Sequence, residues 1–284
     1  MVDYYKPIPE FSFPGNRIPV GVPSKDPMVY LDDEFICDSM YNHWVEDNGN
    51  PLPGSSPSIM ARETVCAMLH KAEDLLPEGY RFKIWDAYRP VAVQQALYDY
   101  FRAQKAQEHP EWDTATLDEQ ILLCVSFPSY NALLPSLHNT GGAVDLTIIG
   151  PDGKDVDMGC EFDEFTDRAW ANYYEPDSKW DDVNEEAMNN RRMLHNVMLE
   201  VGFTAFPSEW WHFDYGDEKW ALTTSNAPIY AGVLDAEQRN TVPYNNMELV
   251  RETNARQQAI IDQILELRDQ CASMDAEVAA VMKG

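Results

Sequence analysis

Apolar positions Ile59, Ala61, Val65, Met68, Leu69 and Ala72 recur near the helical period, which predicts a helix from Ser58 to Leu76 with Ser58 as its N-cap. Pro77-Glu78-Gly79 ends it. Tyr80 to Tyr88 then alternates as a half-buried strand does. Pro90 suits the first turn of a following helix, expected from Val91 to about Gln107, and a shorter helix fits Thr116 to Val125. A Pro/Ser-rich turn over 128–135 leads into Ser136–Ile149, whose β-branched end stops at the turn Gly150-Pro151-Asp152-Gly153. Helical spacing returns from Asn184 to Val201, with Gly202 in the place of a C-cap glycine. Phe203 to Tyr215 is aromatic and strand-like, and it contains Glu209-Trp210-Trp211-His212.

The two ends of the chain differ from this middle. Residues 1–57 are rich in Pro, Gly and Asp and predict an extended, loop-rich segment, with brief strands at Val29-Tyr30-Leu31 and Phe35-Ile36. After Pro243 no Pro or Gly occurs until Gly284, and Ile260, Ile264, Leu267, Cys271, Met274, Val278 and Val281 step by four and three. That spacing predicts one long C-terminal helix with a heptad seam, which either docks on the body or forms a homo-oligomer. The expected division is 1–57, 58–242 and 243–284.

Charge narrows the functions. With 48 acidic and 21 basic residues the formal net charge is −27, a surface that repels phosphate backbones and anionic membranes, so no nucleic-acid or membrane partner is expected. The five cysteines are widely spaced and include no Cys-x-x-Cys, which favours free thiols over a disulfide framework or a cysteine metal site. Scattered thiols, with neither a signal-peptide pattern nor a long apolar run, give a cytoplasmic expectation.

A hydrolytic zinc site typically needs three protein ligands and an open position, to be filled here by histidine and carboxylate donors. Only six histidines are available. His138 and Asp145 flank Asn139-Thr140-Gly141-Gly142-Ala143-Val144, in which two glycines permit a sharp turn. Asp145 heads an otherwise apolar strand, and a carboxylate buried there would need a cation; an exposed turn Asp is the plainer alternative. Glu209 and His212 stand three apart. Together they could activate a water and bind a metal, with Trp210 and Trp211 walling a substrate pocket. In a regular strand those two positions face opposite sides, so the segment must twist, bulge or turn for them to converge. The plainer reading is a solvated Glu beside a structural His. Arg89, between a strand and a helix, fits either a carboxylate- or oxyanion-binding guanidinium or a surface ion pair. No His-Glu-x-x-His, Gly-x-Ser-x-Gly or phosphate-loop pattern occurs.

Taken together, Ser136-x-His138-x6-Asp145 and Glu209-x-x-His212 resemble the D-alanyl-D-alanine dipeptidases of the VanX type, a group related to zinc D,D-carboxypeptidases and to the hedgehog domain. Asp86-Ala87-Tyr88-Arg89-Pro90 and Met158-Gly159-x-x-Phe162-Asp163-Glu164 resemble two further segments of that family, in the same order, so the resemblance covers roughly residues 58–220. It implies an α+β fold, a small antiparallel sheet flanked by helices. It also implies one Zn2+ per chain on His138, Asp145 and His212, with Glu209 as general base, Arg89 as oxyanion stabiliser, and Ser136 and Asp163 holding a small dipeptide. The implied reaction is hydrolysis of D-Ala-D-Ala or a related dipeptide in cell-wall peptidoglycan metabolism. A D,D-carboxypeptidase acting on peptidoglycan stems and a non-catalytic zinc-binding interaction module are the alternatives.

Overall fold

The computed structural model describes residues 2–13, 17–43, 50–122, 125–164 and 166–234. Met1–Leu234 forms one compact unit. The predicted C-terminal helix, and any self-association through it, lies outside the described residues. Among the described residues no helix is long and apolar enough to cross a membrane.

Two short strands come from the segment before residue 57: β1, Met28–Tyr30, and β2, Ile36–Cys37. The next element corrects an expectation. Met60–Arg62 is a strand, β3, and helix α1 runs only from Glu63 to Glu73. Antiparallel pairing of Met28 with Arg62 and Tyr30 with Met60 holds residues 60–62 extended, and the helix starts where that pairing stops. Arg62, not Ser58, is its N-cap, without a side-chain cap bond. Arg62 is instead spent on main-chain carbonyls, with Nε donating to Thr140 O at 2.8 Å and Nη1 to Asp26 O at 2.7 Å.

Strand β4, Arg81–Asp86, and helix α2, Val91–Glu108, lie where the pattern predicts them. Helix α3 is displaced toward the N-terminus, Thr114–Ile121, because the Asp113 side chain accepts from Thr116 N and fixes an earlier start. Strand β5, Ala143–Ile149, follows, and then α4, Glu185–Glu200, capped by Asn184. The hairpin β6, Thr204–Phe206, and β7, Glu209–Asp214, leads to α5, Glu218–Thr224.

The main sheet is five-stranded, in the order β2-β4-β5-β7-β6. It is antiparallel except at the edge, where β2 runs parallel to β4. Alternation along β5 gives the sheet two different faces. Val144, Leu146 and Ile148 pack with Val65 and Leu69 of α1 and Leu194 and Val197 of α4 in the main core. Each such fully buried aliphatic side chain contributes on the order of 2 kcal/mol. Asp145 and Thr147 face the other way, where Leu97 and Phe101 of α2 border a cleft. A second core cluster joins Leu97 and Phe101 to Leu117 and Ile121 of α3 and to Tyr41 and Leu52. The opening segment is thereby packed beside that cleft.

One core residue makes stability sensitive to pH. His195 of α4 is buried against Phe11, ring centroids 6.2 Å apart, and burial pushes its imidazole down to about 4. A histidine in the unfolded chain titrates near 6.5. Between roughly pH 6.5 and 4 the unfolded chain therefore holds a proton that the folded one refuses. Stability is full above that window and falls as pH drops through it, by about 3 kcal/mol in all. His195→Leu is expected to lessen the drop in urea midpoint between pH 7 and pH 5. The same drop in both proteins would assign the acid sensitivity elsewhere.

Candidate metal-dependent active site

Backbone register does most of the assembly. Asp145 on β5 is directly paired with His212 on β7 and with Asp86 on β4. Cross-strand partners stand about 5 Å apart at Cβ, so these three side chains are brought together by pairing alone. The register of β4 against β5 shifts between Ile84 and Asp86, which turns Asp86 toward Asp145.

His138 reaches the same point through the glycine turn. It opens a short 3-10 turn, His138–Thr140, that ends in Gly141 with φ of 72°, the left-handed region. Gly142 permits a close backbone approach: a Cβ there would lie 2.2 Å from Tyr215 O. That approach carries the hydrogen bond from Tyr215 N to Gly142 O, which joins the turn to the end of β7.

Glu209 and His212 converge by a bulge. Phe206 pairs with Glu209, but the next pair is Ala205 with Phe213, so Trp210, Trp211 and His212 intervene on β7 with no counterpart on β6. The extra residues break the two-residue alternation. Glu209 Oε2 then lies 3.6 Å from His212 Nδ1, on the side where Asp145 stands.

The protonation pattern of the two imidazoles follows from their outer partners. His138 Nδ1 donates to Ala87 O at 2.8 Å, and His212 Nε2 donates to Asp214 Oδ1 at 2.8 Å. Each ring therefore turns a lone pair toward the other, with His138 Nε2 and His212 Nδ1 3.1 Å apart. The Asp145 carboxylate adds its two oxygens, at 3.0 Å from His212 Nδ1 and 3.2 Å from His138 Nε2. All three residues are buried, Asp145 being 2% exposed. Three electron-pair donors facing one point repel unless a cation lies among them. A carbonyl or carboxylate holding the outer N–H is also the usual support of a metal-ligating histidine. The donor set thus fits one divalent metal ion, as a candidate group in which one ligand atom from each residue lies within 4.8 Å of the others.

Around this centre sits a charged rim. Arg89 is buried, donating through Nε to Asp86 at 2.8 Å, through Nη1 to Gln94 at 3.0 Å and through Nη2 to Tyr41 at 3.0 Å. Its Nη2 also lies 3.4 Å from Asp145 Oδ2. Burial alone would lower the guanidinium, but Tyr41 and the carboxylates of Asp86, Asp145 and Asp163 raise it, so it stays charged. Burial opposes ionisation of Asp145, yet positive charge on the two imidazoles, a proton standing in the cation's place, holds it well below the usual carboxylate range. Glu209 moves up, chiefly by burial, against the pull of His212. Asp163 accepts from the Tyr41 hydroxyl at 3.0 Å and is pushed up to about 8, mainly by burial, with Arg89 opposing and Asp145 and Glu209 adding to the rise. Its φ of 58° is unusual for a residue with a side chain, a strain that Asp tolerates better than most.

The residues singled out in the sequence mostly share one cleft. Arg89, Ser136, His138, Asp145, Asp163, Glu209 and His212 all line it. Trp211 does not. Expected to wall the pocket, it is 1% exposed and packed in the core with its ring 5.4 Å from Phe162, because the β7 bulge turns it away from the cleft. Ser136 Oγ is buried at the cleft without a hydrogen-bond partner.

Some participants carried no flag in the sequence. Asp214 stands two positions after His212 on a strand, so its placement on the same side was derivable from strand period. Gln94 lies one turn into α2 and fixes Arg89, with its own Nε2 held by Ser126 O at 2.7 Å. Tyr41, from the loop-rich opening segment, had no local signal at all, since only the second core cluster places it here.

A sequence model of peptidase family M15, described as D-ala-D-ala dipeptidase, matches residues 34–230. A D-alanyl-D-alanine dipeptidase of Synechocystis sp. is 34% identical over 197 residues, spanning 64% of this chain and 79% of that one. Its counterpart in Enterococcus faecium is 26% identical over 197 residues, spanning 68% and 91%, and that of Escherichia coli K12 is 30% identical over 166 residues, spanning 58% and 71%. Among solved structures, a vancomycin-resistance D,D-pentapeptidase VanY variant in complex with Zn(II) matches with a TM-score of 0.37 and 16% identity, over 73% of this chain and 90% of that one.

Proposed function

Because the chain belongs to the D-Ala-D-Ala dipeptidase family of M15 peptidases, we propose that it hydrolyses the free dipeptide D-Ala-D-Ala, or a close relative of it, with the aid of one Zn2+. The observation that carries the reading is the convergence of the His138, His212 and Asp145 electron pairs beside Glu209.

Zn2+ on those three residues would polarise the scissile carbonyl and acidify a water. Glu209, partly buried and raised in pKa, takes the proton of the attacking water and delivers it to the leaving amine. Arg89, fixed by Asp86 and Gln94, presents its guanidinium to the oxyanion that forms on the carbonyl oxygen. Asp163, a carboxylate that burial makes reluctant to ionise, suits a substrate ammonium as its counter-charge. Ser136 Oγ offers an uncommitted hydroxyl to the far end of the dipeptide. D-Ala-D-Ala is a unit of peptidoglycan precursors, so this reading places the protein in cell-wall metabolism. The free thiols of Cys37, Cys66 and Cys160 suit a cytoplasmic setting.

The test is hydrolysis of D-Ala-D-Ala by the full chain, before and after treatment with a chelator, followed by Zn2+ add-back. Loss on chelation and recovery with zinc is expected. An N-acylated D-Ala-D-Ala peptide, lacking the ammonium, should be cleaved poorly. Preference for the acylated peptide would favour a carboxypeptidase, and inactivity on every dipeptide despite bound zinc would overturn the enzymatic reading.

A further inference from the structure

A second set of donors lies on the other side of the sheet. Cys66 and His70 stand four apart on α1, so their side chains share one face of the helix. Glu34, in the turn just before β2, meets them there: its Oε2 contacts His70 Nε2. A sulfur, an imidazole nitrogen and a carboxylate oxygen from the three residues all lie within 4.8 Å of one another. Cys66 is buried at the edge of the main core, while His70 and Glu34 are open to solvent. The arrangement thus has a closed floor and an open mouth. The His70 ring is also seated on Phe35, with centroids 4.5 Å apart, which limits its rotation.

We propose that Cys66, His70 and Glu34 form a second metal site, built for a thiophilic divalent cation such as Zn2+, distinct from the cleft that holds His138, Asp145 and His212. The donor chemistry selects the class. Thiolate with imidazole and one carboxylate suits Zn2+, and a water from the open side would complete four-coordination, whereas Mg2+ and Ca2+ prefer all-oxygen sets. On binding, a metal–sulfur bond forms, the S–H bond breaks and the proton leaves to solvent, so occupancy rises with pH. Bound metal would tie α1 to the turn that leads into β2, the parallel edge strand of the main sheet. Because α1 packs on the sheet face opposite Asp145, metal bound here would stand apart from the cleft.

Cobalt provides a reading that the first site cannot imitate, since that site contains no sulfur. The full-length apoprotein is titrated with CoCl2 and followed in the near ultraviolet, where thiolate-to-cobalt charge transfer absorbs, with metal content measured after dialysis. Two equivalents and a charge-transfer band are expected. Cys66→Ala should lose the band and one equivalent, and His212→Ala should keep the band. Glu34→Gln, a solvent-exposed change that leaves the core untouched, should weaken binding at this site by tenfold or more, which guards against a Cys66→Ala protein that does not fold. One equivalent with no band in the wild type, or a band that survives Cys66→Ala, would overturn the proposal.

Discussion

Replacing Glu209 by alanine is expected to leave the metal content at the wild-type level and to lower turnover by about a hundredfold or more, the scale of a positioned general base. The geometry separates the two roles. Glu209 Oε2 is 3.6 Å from His212 Nδ1, near the donor cluster but outside its tight contacts of 3.0 to 3.2 Å. Removing it therefore takes away a proton acceptor and leaves the three donors. A pH profile gives the independent readout. Burial raises the Glu209 carboxyl, so kcat/KM in the wild type should climb with pH through a range above that of an ordinary glutamate, as the base loses its proton. In Glu209→Ala that acid limb should disappear. Unchanged turnover, or loss of metal together with activity, would show that the assignment is wrong.

Replacing His212 has the opposite signature: metal goes first and activity follows. Structural zinc sites gain about 10–16 kcal/mol from four ligands, so one ligand accounts for roughly 3 kcal/mol, about a hundredfold in affinity. His212 is hydrogen-bonded to Asp214, 2.8 Å away, and paired in register with Asp145, so its nitrogen is held in place before any ion arrives. His212→Ala in apoprotein titrated with Zn2+ should bind at least about a hundredfold more weakly and show correspondingly little activity at limiting zinc. Because His212 is 3% exposed and lies in the sheet, His212→Gln, which keeps most of the volume, should be run beside it. Wild-type zinc affinity in both variants would mean that the ligand set has been misread.

Much of the local structure was written in the chain. Strands β4 and β5 and helices α2 and α4 lie within a residue or two of the hydrophobic pattern that predicts them, because each has a long apolar face and a clear stop. The errors fall where a non-local bond outweighs local preference. Ser58 is a good cap by residue type, yet residues 60–62 pair with β1 and postpone the helix. Thr114 enters α3 ahead of the expected start because Asp113 caps it.

The site divides along the same line. The chemical identities of its residues were legible in sequence as unusual residues in strong contexts: an acid heading an apolar strand, two glycines after a histidine, a Glu and a His separated by two tryptophans. What no local pattern contained was how they meet. Strand alternation puts Glu209 and His212 on opposite sides, and only the three unmatched residues of β7 bring them to one. The same bulge sends Trp211 into the core, which is why its expected place in the pocket failed. Tyr41 joins Arg89 and Asp163 across 48 and 122 residues of sequence. The sequence by itself determined the donor atoms, the helices and strands that carry them, and the family to which they belong. Tertiary structure decided their convergence, since register, bulges and packing are set by partners distant in the chain, and no periodicity within one segment encodes a partner outside it.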